Sequence, residues 1–157
     1  MLKIPKKYSI MISQILCIVF FAACVIGLFI LPTLCEMLIN VEDNIGSRGE
    51  ITSAGRTFVL VLAYLILADI MLAVSLLFAL LLRVRKGLVF TSESTSLIRG
   101  ISWCCFILCF VFAGLGIYFQ LALIVSFAAV FLGIALRVVQ NVIEEATEIK
   151  MENDMTI

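Results

Sequence analysis

The residue with the clearest potential for chemistry is Asp69, a carboxylic acid in the middle of a long apolar stretch. An acid in such a place is a candidate for proton relay, for cation binding or for a polar contact between helices. No lysine, arginine or histidine lies in the interior of the apolar stretches to pair with it. We therefore expect Asp69 to be protonated, or to hydrogen-bond hydroxyls or backbone carbonyls within the protein or at an oligomer contact. Because no second acid or histidine is placed to receive a proton, a structural contact is the favoured interpretation.

Cysteines are the other candidates for chemistry, in a chain that contains no histidine. None of them forms a CxxC pair, and a metal site would need thiolates in a lipid environment. We predict that they are packing residues, and we expect no metal and no cofactor. An enzyme is not expected either, because no nucleophile has a nearby base and no carboxylates are paired outside the membrane. The six cysteines are Cys17, Cys24, Cys35, Cys104, Cys105 and Cys109.

Composition sets the class of protein that must position these residues. Hydrophobic residues make up 64% of the 157 residues and charged residues only 14%, and the mean hydropathy is +1.24. Such a chain has too little polar surface to cover a soluble globule. The net charge of zero argues against direct binding of nucleic acid, which needs a surplus of lysine and arginine. The composition therefore predicts an integral membrane protein whose main partner is the lipid bilayer.

Apolar segments long enough to cross a hydrocarbon core of about 30 Å divide the chain. They predict one domain, 1–157, with four spans at about 9–34, 58–82, 97–116 and 120–137. The lysine-rich start also fits a signal peptide, but the apolar run continues past Cys24, so we expect a retained first helix. That helix is expected to end near Pro32, before a polar loop over 36–56. The last two spans are expected to form a hairpin that turns near 116–120.

The predicted fold class is all-α, an integral membrane four-helix bundle with a helical C-terminal extension over 138–157. Small residues four apart, such as Ala129 and Gly133, are typical of close contacts between membrane helices. The small residues and the midspan acid are compatible with a homodimer as well as with a monomeric bundle.

The distribution of lysine and arginine predicts the orientation. Three lie before the first span, four in the central loop over 83–103 and two in the tail from Arg137 onward, against two in the first loop over 36–56. Lysine and arginine in short loops stay on the cytoplasmic side. The pattern predicts a multi-pass protein of the cell (inner) membrane with both termini and the central loop in the cytoplasm.

The central loop and the tail carry most of the local signals. Gly87 is expected to end the second helix with a positive φ, and Thr91 to cap the third, with Glu93 in its first turn. In the tail, Glu144, Glu148 and Glu152 repeat at a spacing of four residues, where like charges repel. A cationic surface would relieve this repulsion. Either the protein's own central loop or a partner protein would supply this surface.

Two segments resemble a known family. The stretch 86–103, KGLVFTSESTSLIRGISW, and the terminal ENDMTI resemble the KGxxFTxEN, LRxIGW and EENDLTI motifs of a family of uncharacterised bacterial four-helix membrane proteins. Ser94 stands where asparagine is usual and Ser102 where glycine is usual, and the similarity extends from the second helix to the terminus. Genes of this family often neighbour short Cro-like helix-turn-helix regulators. The resemblance therefore implies a membrane protein that holds or controls a DNA-binding partner.

These expectations lead to three hypotheses of function. The first is a membrane-embedded regulatory protein that sequesters a small helix-turn-helix regulator at the cytoplasmic face. The second is a small transporter or permeability factor that uses Asp69. The third is an envelope-stress sensor or immunity protein that uses the first loop, over 36–56, on the outer side of the membrane. The residues expected to bind the regulator come from the central loop and the tail: Arg85, Lys86, Phe90, Glu93, Glu145, Glu148, Asp154 and Ile157.

Overall fold

The protein is a set of long antiparallel helices. The computed structural model describes residues 6–45, 51–88 and 91–154, which form α1 (Lys6–Ile45), α2 (Ser53–Arg85), α3 (Ser92–Leu115) and α4 (Gln120–Asp154). These residues include no strand. All four helices are long and apolar enough to cross a membrane. The predicted all-α four-helix architecture is therefore confirmed.

Each helix packs against its neighbour in sequence. The backbones of α1 and α2, of α2 and α3, and of α3 and α4 approach closely, whereas no other helix pair does so within the described ranges. The start of α1, the end of α2, the start of α3 and the end of α4 lie at one end of the molecule, which we call the basic end. Contacts of Gln14 with Arg85, of Arg83 with Glu93 and of Arg99 with Glu144 mark this end.

The first helix does not end near Pro32, so the prediction of a break there and of a loop over 36–56 is wrong. α1 continues through Pro32 to Ile45, and α2 already begins at Ser53. Proline has no backbone N–H and leaves the carbonyl four residues earlier, that of Leu28, without its helical donor. The Tyr64 hydroxyl of α2 donates to this carbonyl oxygen at 3.5 Å. A neighbouring helix that satisfies the freed group allows a membrane helix to pass through a proline.

The connection between α2 and α3 follows the sequence prediction. Gly87 has a φ of 77°, which a glycine adopts without strain. The Thr91 side chain caps α3 by accepting from the Ser94 backbone N–H at 3.4 Å, and Glu93 lies in the first turn. The Ser94 hydroxyl also donates to the Leu88 carbonyl oxygen at 2.8 Å, which ties the start of α3 to the loop.

Small and hydroxylated residues bring α3 and α4 close together. The fully buried Ser102 hydroxyl donates to the Gly133 carbonyl oxygen at 2.9 Å. A Cβ on Gly133 would lie 3.3 Å from the Cβ of Cys105 and from the Phe106 ring. One turn earlier on α4, Ala129 is also buried. The spacing of Ala129 and Gly133 thus corresponds to a helix contact, as small residues do in membrane proteins. The hairpin turn between these helices covers 116–119, as predicted.

Candidate functional site

The intramembrane acid lies at the contact between α2 and α3. Asp69 is 8% exposed, and its carboxyl group lies beside the thiol of Cys104 on α3. Cys105 lies close enough for electrostatic interaction with the same carboxyl. The other carboxylate oxygen, Oδ2, has no hydrogen-bond partner among the residues that the structure describes. Asp69 therefore lies at the contact between two helices, with cysteine thiols as its polar neighbours on α3.

Part of this arrangement differs from the expectation. Asp69 was expected to be protonated, or to hydrogen-bond hydroxyls or backbone carbonyls; the polar side chain that the structure places beside it is a cysteine thiol. All six cysteines are free thiols, and Cys104 is a polar partner as well as a packing residue. Within the described ranges, no group of three or more histidine, cysteine or acidic side chains is arranged to hold a metal ion. The site can bind a proton and lies at a helix contact, and Asp69 has no basic partner among the residues that the structure describes.

At the basic end, Arg99, Gln140 and Glu144 form what we call the α3–α4 polar cluster. Arg99 Nη2 lies 3.5 Å from Glu144 Oε1, and both side chains are about half exposed. Gln140 is only 2% exposed. With its amide oxygen turned toward Arg99, it accepts hydrogen bonds from Nε and Nη2, both at 3.1 Å. With its nitrogen turned toward Glu144, it donates to Oε2 at 3.3 Å instead. The first orientation satisfies two donors of Arg99 at once.

A second cation is held beside this cluster. The Arg137 guanidinium lies over the Trp103 ring at 5.5 Å from the centroid, and Trp103 meets Phe106 edge to face at 6.2 Å. An arginine over an aromatic face is stabilised by the ring quadrupole and keeps its apolar stem along the helix. Two arginines, Arg99 and Arg137, therefore fasten α4 to α3 at the basic end by different interactions.

The tail packs against α3 along one face only. Gln140 and Thr147 are buried, and their spacing of seven residues places them on the same side of α4. Since α4 packs closely only on α3 within the described ranges, this side faces α3. Glu145 and Glu148 are exposed on the rest of the helix. The pairing of Glu144 with Arg99 shows that the protein's own basic residues relieve part of the predicted repulsion along the tail.

The predicted partner-binding residues are placed at the basic end but on separate helices. Arg85 and Lys86 are exposed at the end of α2, and Glu93 is exposed at the start of α3, where it forms an ion pair with Arg83. α4, which carries Glu145 and Glu148, makes no close approach to α2 within the described ranges. Arg85 and Lys86 thus lie on a different helix from Glu145 and Glu148, and these two helices do not approach each other closely within the described ranges. Phe90, Ile157 and the side chain of Asp154 lie outside the described residues.

The comparison with known proteins identifies a family. Residues 44–157 match the model of the family DUF2975, which is described as a protein of unknown function. Because the match covers well over half of the chain, the chain belongs to this family, and the membership predicted from its loop and terminal motifs is confirmed. No curated protein and no solved structure matches the chain.

Proposed function

We propose that this member of the DUF2975 family is a membrane-embedded regulatory protein that captures a small helix-turn-helix transcription regulator at its basic end. The observation that carries the proposal is the extension of α4 as a helix to Asp154, with Glu145 and Glu148 exposed along it. The excess of lysine and arginine at the same end favours a cytoplasmic position, where such a regulator would be met.

The acids of the tail are available because other residues hold the helix in place. Gln140 and Thr147 form the buried face, and Glu144 is already paired with Arg99. Glu145 and Glu148, three residues apart, are neighbours on the exposed side. A regulator that binds DNA must present a cationic surface to the phosphates. Complementary charge would therefore steer the regulator toward the tail and orient it there.

The cations at the end of α2 add positive charge to the basic end, where α4 presents the acids of the tail. Arg85 and Lys86 are exposed and separated from the acidic side of α4 by the start of α3. A surface with both signs admits a partner in one orientation and repels it in the reverse one. If the tail covers the DNA-binding surface of the regulator, capture and DNA binding exclude each other. The membrane protein would then control transcription by withholding the regulator.

The experiment co-expresses the full-length protein with a small Cro-like helix-turn-helix regulator and follows the regulator by membrane fractionation. The test variant is the double substitution Glu145→Lys and Glu148→Lys. Its matched control, Glu36→Lys with Glu42→Lys, makes the same change of charge on α1, at the end opposite to the basic end. We expect the regulator to follow the membrane with the parent and the control, and to stay soluble with the test variant. Equal membrane capture by all three, or by none, would contradict the proposal.

A second candidate function rests on the buried carboxyl group. Asp69 has an oxygen without a hydrogen-bond partner among the described residues, which is unusual for a buried polar atom. A transporter or permeability factor would use this group to bind a cation or a proton. The test is a flux measurement in vesicles with the parent and Asp69→Asn. Loss of a proton or cation flux in the variant would favour transport, whereas regulator capture should be the same in both proteins.

A further inference from the structure

A groove follows the contact between α1 and α2 from the basic end toward the middle of the helices. It consists of two cavities of about 290 and 280 Å³, which share the side chains of Ile18 and Phe78. Each is close to the lower limit of about 300 Å³ for ligand pockets, so the joined groove falls within the usual range. The groove has the shape and room for an elongated ligand.

The two ends of the groove differ in polarity. At the basic end the lining includes Gln14 and Arg85. Toward the middle the lining is apolar apart from one thiol and one hydroxyl, and the Ser75 hydroxyl is turned back to the Met71 carbonyl of its own helix at 2.7 Å. The side chains of this inner part are Cys17, Ile18, Phe21, Val74, Ser75 and Phe78. Such a lining suits an amphiphile whose polar group lies at the basic end.

The Gln14 amide supplies a donor that lacks a partner. Gln14 is 7% exposed, and its Oε1 accepts from Arg85 Nη1 at 3.5 Å. Its Nε2 is buried and has no acceptor among the residues that the structure describes. A buried donor left unpaired is costly, and an acceptor oxygen on a bound ligand removes that cost. The adjacent guanidinium favours an acceptor that carries negative charge.

We propose that this groove binds an anionic phospholipid. Its phosphate accepts from Gln14 Nε2 and lies beside the Arg85 guanidinium, and one acyl chain runs over Ile18 and Phe78 into the inner part of the groove. Basic pockets between membrane helices recognise the headgroups of acidic lipids in this way. A free phosphate ion would use only the polar end, so the apolar inner part favours a lipid over a soluble anion.

The test uses the full-length protein, purified in detergent and stripped of lipid, with phosphatidylglycerol or phosphatidylcholine added back. Native mass spectrometry measures how much of each lipid stays bound. We expect phosphatidylglycerol to be retained in preference to phosphatidylcholine. Arg85→Gln should weaken its binding about fivefold, the factor that one cation contributes beside an acidic lipid. Gln14→Leu, which removes the unpaired donor, should weaken it as well.

Two controls separate the site from general attraction. Lys150→Gln removes an exposed cation from α4, away from the groove, and should leave lipid binding unchanged. Ser75→Phe should fill the inner part of the groove and lower retention of phosphatidylglycerol while Arg85 is intact. Added inorganic phosphate should not displace the lipid at concentrations equal to it.

Equal retention of the two lipids, or retention that is unchanged in both Arg85→Gln and Ser75→Phe, would overturn the proposal. Displacement of the lipid by equimolar phosphate would show that the polar end is an anion site and would overturn it too. Arg85 also belongs to the surface proposed for the regulator. The lipid measurement contains no regulator, so the two proposals fail independently.

Discussion

The hydroxyl of Tyr64 on α2 donates to the backbone carbonyl of Leu28 on α1, the acceptor that Pro32 leaves without its helical donor. The tyrosine thus replaces, from the neighbouring helix, the hydrogen-bond donor that the proline lacks. We expect Tyr64→Phe to lower the free energy of unfolding by about 0.5–1.5 kcal/mol, the net value of one hydrogen bond. Unfolding of the purified protein in detergent by a denaturant measures the change.

A double-mutant cycle tests the pairing itself. Pro32→Ala restores the backbone N–H, so Tyr64→Phe should cost less in that background than in the parent. Tyr8→Phe, which removes an exposed hydroxyl from the same pair of helices, is the control and should have no effect. If the two substitutions add without coupling, the tyrosine is not what allows α1 to pass through the proline.

The contact between Asp69 and Cys104 gives the second prediction. Cys104→Ala removes the thiol beside the buried carboxyl group and leaves that group in a less polar environment, at a cost of about 1–3 kcal/mol. Cys24→Ala deletes the same atom from another buried cysteine, which has no acidic partner in the described part of the chain, and should cost less. Cys104→Ser keeps a donor and should retain most of the stability. Equal losses for the two alanine variants would mean that the thiol contributes packing alone.

The third prediction concerns the closest approach of α3 and α4. Gly133→Ala places a Cβ 3.3 Å from Cys105 and Phe106, so these neighbours must move, and Gly133→Val should cost about 1–3 kcal/mol through overpacking. Gly27 on α1 is the matched control because a Cβ there meets Leu67 at an ordinary 3.7 Å. Gly27→Ala should be neutral or slightly stabilising, since alanine favours a helix over glycine. Thermal unfolding of the variants in one detergent would show whether the order holds.

How far the sequence predicts the structure depends on the range of the interactions. The caps at Gly87 and Thr91 and the hairpin at 116–119 follow from neighbouring residues, and they were predicted correctly. The end of α1 was predicted wrongly because the residue that satisfies the backbone near Pro32 lies 36 positions from Leu28 along the chain. From the sequence alone a proline predicts the end of a helix, because the donor on the neighbouring helix is not visible there.

The candidate sites show the same limit. Asp69 was identified from its sequence context alone, but its partner was not. Measured from the ion pair of Arg83 and Glu93, Asp69 on α2 and Cys104 on α3 lie at the same distance to within about one helical turn. The register of α2 against α3 depends on this ion pair, and the sequence alone does not reveal it. The burial of Gln140 and Thr147 likewise depends on α3, although their spacing of seven residues is visible in the sequence.

The α3–α4 polar cluster gives the last prediction, because its members differ in burial. The ion pair of Arg99 and Glu144 is about half exposed, so Glu144→Gln should cost only about 0.2–1 kcal/mol, and less at high salt. Gln140→Leu should cost more, since it removes the buried amide that accepts from two donors of Arg99. Hydrogen exchange of the backbone amides of 141–154 is the measurement, because loosening the tail from α3 speeds exchange there before the rest of the protein opens. We expect faster exchange in Gln140→Leu and little change in Glu144→Gln. If the order is reversed, the surface ion pair and not the buried amide holds the tail in place, and the regulator surface proposed on α4 would then depend on ionic strength.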